Sequence, residues 1–238
     1  MADSQNVVVG YLHGQFITQE FHHCLQRLFV FDAWGPQRIV DFCPQMSGVQ
    51  ICNARNQMVK QFLDNPRAEW LLMLDADATF PPDLIERFLA DADPTERPIV
   101  GALAHLVRIK QGEIIIDNYG SAKREIVPTM YKQERGPNGE WLGYREIEQY
   151  GRGLIEVDAT GAHCLLVHHT VFEAIPEGDH PHRWFRESLI APGILAGEDI
   201  TFCLQARDAG YPIFVDTTIE SGHVKPFIMT SETAKELV

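Results

Sequence analysis

The sequence predicts an α/β fold with a mostly parallel central sheet flanked by helices. Three observations carry that prediction. The first is the opening of the chain. Val7-Val8-Val9-Gly10-Tyr11 reads as a buried strand, and Phe21, Cys24, Leu25, Leu28 and Phe29 fall on one face of a helix that Thr18 can cap. Arg38-Ile39-Val40-Asp41-Phe42 then reads as a second strand, and a strand–helix–strand opening implies a parallel sheet. The second is a set of short apolar runs, Trp70–Leu74 and Ile99–Ala104, which read as strands buried on both faces. The third is size: 238 residues at 45% hydrophobic content fit one globular domain with a substantial core, or one domain plus an insertion.

Composition narrows the function. Twenty basic against thirty-three acidic residues give a net charge of −13. Such a surface argues against broad binding of nucleic acid or anionic membrane, while leaving room for a local basic pocket. The five cysteines, Cys24, Cys43, Cys52, Cys164 and Cys203, lack paired metal-ligand spacing. They read as small core residues, and an odd, scattered set suits reduced thiols in a cytoplasm. No apolar stretch is long enough to span a bilayer, and the first residues lack a signal-peptide pattern.

The chain is organised around Trp70-Leu71-Leu72-Met73-Leu74-Asp75-Ala76-Asp77. An apolar strand ends in two carboxylates one residue apart, which alternation along a strand turns in the same direction. The C-terminal ends of strands in open α/β sheets face the ligand-binding crevice. Two like charges that close repel unless a cation lies between them, and hard divalent cations favour such oxygens beside phosphates. A solvated acidic turn is the competing reading. Pro81-Pro82 then opens a helix with Leu84, Ile85, Phe88 and Leu89 on its apolar stripe.

The remaining elements follow in order. Tyr11 and Asp41 lie near strand ends, where they can hold a base or ribose; structural roles compete. Asn53 is expected to cap a helix that buries Met58, Val59, Phe62 and Leu63. Arg55 then falls in the first helical turn, unfavourable for a cation unless an anion such as a diphosphate binds there. An ion pair with a surface carboxylate competes with that reading. Residues 108–152 are polar and read as a hairpin-rich insertion, with an alternating piece at Glu113-Ile114-Ile115-Ile116 and a turn at Gly136-Pro137-Asn138-Gly139. Leu154–Gly161 returns to strand character, with Gly161 marking close backbone approach, and Ala162–Val167 continues the strand after a bend. A helix through Val171, Phe172 and Ile175 follows. His168 and His169 face opposite ways on a strand and do not read as a metal pair. From Pro176 to Gly197 the chain reads as loop, where Trp184 and Phe185 either stack on a sugar or anchor the loop. Glu198 and Asp199 open a helix with Ile200, Cys203 and Leu204 inward, and Gly210 ends it. Tyr211–Asp216 is the last strand, and Gly222 permits a sharp turn before His223. A single domain over residues 1–225 and a tail over 226–238 result.

Arg55-Asn56, Asp75-Ala76-Asp77, Asp158-Ala159-Thr160-Gly161, Gly197-Glu198-Asp199 and Gly222-His223, in that order, resemble the GT-A nucleotide-sugar glycosyltransferases. The family 2-like enzymes of bacteria and phages are the most similar. The resemblance covers about Val7 to Lys225 and is weakest across the insertion. It implies the GT-A fold, a Rossmann-like sheet with a hairpin-rich insertion. It also implies a metal-dependent, inverting glycosyltransferase of hexosyltransferase type. Such an enzyme moves a sugar from a nucleoside-diphosphate sugar to an acceptor hydroxyl. Carried over, Asp77 binds the metal and Asp75 holds the ribose or the metal shell. His223 is a further metal ligand, and a neutral imidazole suits Mn²⁺ better than Mg²⁺. Arg55, Asn56, Ala76, Gly161 and Trp184 line the donor crevice with Tyr11 and Asp41. Asp199 is the general base, with Glu198 as its competitor. Where many relatives have a proline-containing turn this chain has Gly10-Tyr11-Leu12-His13, so base recognition stays open. A retaining route also stays open, because some GT-A enzymes with a late metal-binding His retain configuration. Two alternatives are a haloacid-dehalogenase-like phosphatase, with Asp75 as nucleophile and Asp77 as acid/base, and a non-catalytic nucleotide-sugar-binding module.

Overall fold

The computed structural model describes residues 5–48, 50–109, 124–177, 180 and 183–225. The alternating piece at Glu113–Ile116 and the tail over 226–238 lie outside them. The first half of the chain builds β1 (Val7–His13), α1 (Gln19–Trp34), β2 (Ile39–Met46), α2 (Ile51–Leu63), β3 (Trp70–Asp75), β4 (Ala78–Thr79), α3 (Leu84–Asp91) and β5 (Ile99–Ile109). The second half builds β6 (Arg124–Pro128), β7 (Met130–Arg135), β8 (Trp141–Glu146), β9 (Leu154–Val157), β10 (Ala159–Thr160), β11 (Cys164–His168) and α4 (His169–Ala174). It closes with β12 (Ser188–Ala191), β13 (Ile194–Ala196), α5 (Glu198–Asp208) and β14 (Ile213–His223).

The main sheet has the order β2-β1-β3-β11-β5-β14-β4, with β6 on β5 and β9 on β14. Along that path β2, β1, β3, β5 and β14 share one direction, while β11 and β4 oppose it. The sheet is thus mostly parallel, with one reversed strand in its middle. A strand buried on both faces has the same apolar pattern in either direction, so β11 carries no sequence mark of its reversal.

Side-chain alternation divides the core in two. Trp70, Leu72 and Leu74 of β3 face α1 and α3, where Phe21, Leu28, Leu84, Ile85 and Phe88 are buried. Leu71 and Met73 face the other way, onto Met58, Val59 and Phe62 of α2 and Phe172, Phe202 and Cys203 of α4 and α5. Asp75 has the parity of Leu71 and Met73, so its side chain emerges on the α2/α5 face.

Several boundaries depart from the sequence reading. β3 ends at Asp75, and Asp77 returns to the same region through a turn rather than by strand alternation. α2 begins at Ile51 after Gln50, with no side-chain cap, so Asn53 is not the cap and Arg55 lies in the second turn. The anion site expected at that helix start therefore does not include Arg55. Pro81 and Pro82 precede α3 rather than open it. The 154–161 run breaks into β9 and β10. The 176–197 loop contains the β12–β13 hairpin, turned at Gly193 with φ of 76°. α5 buries Thr201, Phe202, Cys203 and Ala206, leaving Ile200 and Leu204 half-buried. The inserted β7–β8 hairpin does turn at Gly136–Gly139.

The largest departure is β14, which runs eleven residues with an irregularity between Asp216 and Glu220. Gly222 is therefore a strand residue, paired with Thr79 of β4. Its need for smallness is steric: a Cβ would lie 2.4 Å from Thr79 Oγ1. Gly222→Ala should cost about 1–3 kcal/mol in urea unfolding, the ordinary cost of overpacking. Thr79→Ala, which removes the clashing hydroxyl, should recover most of that loss in the double variant.

Candidate metal and donor site

Asp75, Asp77, His163 and His223 converge at the end of the sheet, with one ligand-type atom from each lying within 4.8 Å of all the others. Asp75 arrives at the end of β3 and His223 at the end of β14. The β4–β14 pairing brings them together, because His223 is opposite Ala78, one residue beyond Asp77. His163 precedes β11, whose Cys164 is opposite Leu74. Its carbonyl accepts the Asp75 N–H at 3.0 Å.

The two imidazoles are set in the same way. His223 Nδ1 lies 2.9 Å from the His105 carbonyl oxygen, and His163 Nε2 lies 3.2 Å from the Gly222 carbonyl oxygen. A carbonyl only accepts, so each of these nitrogens carries the proton. In the neutral tautomers the other nitrogens present bare lone pairs. His223 Nε2 faces Asp77 Oδ1 at 3.4 Å. His163 Nδ1 faces Asp75 Oδ2 at 3.5 Å and Asp77 Oδ1 at 3.9 Å, and this buried atom has no hydrogen-bond partner among the described residues. Lone pairs turned toward carboxylate oxygens repel unless a proton or a cation lies between. The donor set, two carboxylates and two imidazoles fixed by backbone carbonyls, fits a divalent cation.

Charge is held down around this point. Burial opposes ionisation of Asp77, but hydrogen bonding to His223 and Lys225 outweighs it and keeps the carboxyl well below the usual range. Lys225 Nζ is 2.6 Å from Asp77 Oδ2. Burial also opposes ionisation of Asp75, and the Arg55 guanidinium, with His163 beside it, reverses that effect. Burial would lower the His223 pKa, yet Asp77 and the His105 carbonyl raise it on balance. A cation would compete with that proton.

Arg55 is 2% exposed and spans two parts of the site. Its Nη2 donates to Asp75 Oδ1 at 3.1 Å, its Nε to Glu198 Oε1 at 3.3 Å and its Nη1 to the Ala162 carbonyl at 3.1 Å. The start of α5 is thereby fixed one guanidinium away from Asp75. Asp199, the neighbour of Glu198, is raised to about 6, first by burial and then by the Glu198 charge. Its Oδ1 accepts the Ile200 N–H at 2.8 Å, and its Oδ2 lies 3.6 Å from where a Gly161 Cβ would be.

A cleft of about 300 Å³ opens beside the cluster, lined by Leu12, Gly14, Phe16, Thr18, Ser47, Ile51, Asp75, Ala76, Asp77, His223 and Lys225. Of the residues expected in the donor crevice, Asp75 and Ala76 line this cleft, Arg55 lies behind Asp75, and Gly161 faces Asp199. The others do not line it. Asp41 is level with Val8 and so with Leu71, whereas Asp75 is level with Leu12. Four residues of strand put Asp41 about 13 Å back along the strand direction, and two strands to the side, with its Oδ2 accepting from Asn65 Nδ2. Tyr11 packs its ring on Phe21 at 5.4 Å. Asn56 staples the 183–185 loop through Trp184 N, Phe185 N and Phe185 O. Trp184 is buried, donating Nε1–H to the Phe172 carbonyl at 2.8 Å, so it anchors the loop. Asp158 accepts the Gln133 N–H and pairs with Arg207, a structural role. His163 is the residue that sequence reasoning missed. Its only sequence signal is a polar side chain just before a buried apolar run.

The raised Asp199 pKa has a consequence for stability. An unfolded Asp titrates near 3.9. The folded state therefore holds this proton more tightly, and ionising the group costs stability as pH rises toward and through about 6. Asp199→Asn should match wild type in thermal unfolding below about pH 4 and be the more stable protein at neutral pH.

No family model matches the chain, and no curated protein matches it. Among solved structures it is similar to A197 from STIV, at 12% identity over 93% of this chain and 86% of that one, with a TM-score of 0.52. It is also similar to GalNAc-T7, solved with UDP, GalNAc and Mn²⁺, at 10% identity and a TM-score of 0.55. That match covers 93% of this chain but only 44% of the GalNAc-T7 chain. At these identities the likeness is one of fold, and the fold is GT-A.

Proposed function

We propose that the chain is a metal-dependent glycosyltransferase that moves a sugar, a hexose by the family likeness, from a nucleoside-diphosphate sugar to an acceptor hydroxyl. The observation that carries this reading is the Asp75–Asp77–His163–His223 cluster beside a cleft at the strand ends, with a buried His163 nitrogen, unpartnered among the described residues, facing both carboxylates. The GT-A fold and the Mn²⁺-bound GalNAc-T7 support it. A bound divalent cation supplies charge stabilisation to the departing diphosphate. Asp75, Asp77, His163 and His223 would hold it, and Mn²⁺ suits the two imidazoles better than Mg²⁺.

The chain's own residues divide the remaining work. Glu198 is held by Arg55 and serves as a counter-ion. That leaves Asp199 to accept the acceptor hydroxyl's proton. A carboxylate raised to about 6 is mostly ionised at neutral pH and more basic than an ordinary Asp, which suits a general base. Attack opposite the leaving group inverts the anomeric centre. The phosphatase alternative needs Asp75 free as a nucleophile, whereas its Oδ1 is bound to Arg55. The acceptor and the donor sugar are matters for screening.

Donor turnover, followed as release of nucleoside diphosphate from a panel of nucleotide sugars with Mn²⁺, tests the assignment. The rate should rise through about pH 6 as Asp199 ionises. Asp199→Asn should lower kcat by about 10²-fold or more, within the range for general base catalysis, with donor binding near normal. Glu198→Gln should do less damage. Near-wild-type transfer by Asp199→Asn would move the base elsewhere and bring a retaining route forward.

A further inference from the structure

We propose that Arg55 is a positioning residue that couples the metal site to the start of α5, through one guanidinium shared between Asp75 and Glu198. The inference rests on the metal-dependent reading of the cluster. Its evidence is geometric. Arg55 is 2% exposed and comes from α2, Asp75 ends β3, and Glu198 opens α5. The bonds to Asp75 and Glu198, at 3.1 and 3.3 Å, leave from different nitrogens of one planar group. A third bond, to the Ala162 carbonyl, fixes the plane, and the guanidinium lies 5.7 Å from the Phe185 ring centroid. A side chain so confined cannot move toward one carboxylate without weakening its bond to the other.

The consequence is a competition for charge. Asp75 answers to two cations, Arg55 from behind and a divalent ion in front. When the ion takes a larger share of Asp75, the guanidinium bears more fully on Glu198. When Glu198 loses its charge, the guanidinium bears more fully on Asp75 and the ion is held less well. The effect crosses from one wall of the site to the other although Glu198 is not in the ligand set. Coupling of this kind is reciprocal. Ion binding at the donor side therefore changes the field around Asp199, whose nearest charged neighbours in the chain include Glu198 and Arg55.

A double-mutant cycle over Arg55 and Glu198 tests this, with Mn²⁺ affinity read on the full chain from the loss of the free-ion electron paramagnetic resonance signal. Titrations are run with Mn²⁺ alone and with uridine diphosphate present. Glu198→Gln should weaken Mn²⁺ binding about five-fold, the lower end of ordinary coupling between sites. Arg55→Gln should tighten it, because a competing cation is gone. Adding Glu198→Gln to Arg55→Gln should then change affinity by less than about two-fold, since the connecting group is absent. A merely structural Arg55 would give no such non-additivity. Where Arg55→Gln does not fold, Arg55→Lys replaces it. It keeps the charge but loses the fork, and the Glu198→Gln effect should again shrink. Unchanged Mn²⁺ affinity in Glu198→Gln, or additive effects in the cycle, overturns the coupling while leaving the metal site standing. No Mn²⁺ binding by the wild type overturns the metal-dependent reading and the coupling with it.

Discussion

Four carboxylates crowd one end of the sheet: Asp75, Asp77, Glu198 and Asp199. Among the described residues two cations, Arg55 and Lys225, lie among them, and, against the effect of burial, Asp77 raises the pKa of His223 beside it. The chain distributes its response. Asp75 and Glu198 share a buried guanidinium, Asp77 takes the exposed lysine, and Asp199 meets the excess by holding its proton more tightly. Burial raises the Asp199 pKa first, and the Glu198 charge adds to it.

Geometry is imposed on that charge by backbone pairing. The short β4 strand holds the 76–79 turn against the end of β14, so Asp77 and His223 meet across a hydrogen-bonded ladder. The reversed β11 strand brings His163 alongside Asp75. Arg55 is aimed by α2, whose other buried side chains, Met58, Val59 and Phe62, lock it onto the face of the sheet where Asp75 emerges. Asp75 and His223 end strands of the sheet, whereas Asp77 lies in the turn between β3 and β4 and His163 in the bend before β11, each held by the strand pairing beside it.

Much of this was legible in the sequence because it depends on local pattern. The apolar run ending in Asp75 is a strand by composition, the stripe Leu84, Ile85, Phe88 and Leu89 is a buried helix face, and Thr18 caps α1 through Phe21 N. The ordered acidic motifs placed Asp75, Asp77 and His223 in one cluster. What was not legible depends on register. His163 becomes a candidate ligand only through the reversal of β11, which an all-apolar strand does not announce. Asp41 was misplaced because β2 continues to Met46, which moves the strand end four residues past the end expected at Phe42. Asn56 stands in a donor motif and Trp184 reads equally as a sugar platform or a loop anchor, yet they bond to the 183–185 loop and to Phe172, contacts more than ten residues distant that no local pattern encodes.

The central claim is that a divalent cation, held where the Asp75–Asp77 carboxylates meet the two imidazoles, receives a nucleoside diphosphate. The most direct measurement is thermal unfolding of the wild type and Asp77→Asn with uridine or guanosine diphosphate, in Mn²⁺ and in EDTA. Ligands that bind only the native state raise the melting temperature by mass action. The wild type should be stabilised by at least one of the nucleotides in Mn²⁺ but not in EDTA, and Asp77→Asn should lose that gain while unfolding cooperatively. Equal stabilisation of the wild type in Mn²⁺ and in EDTA would contradict the account.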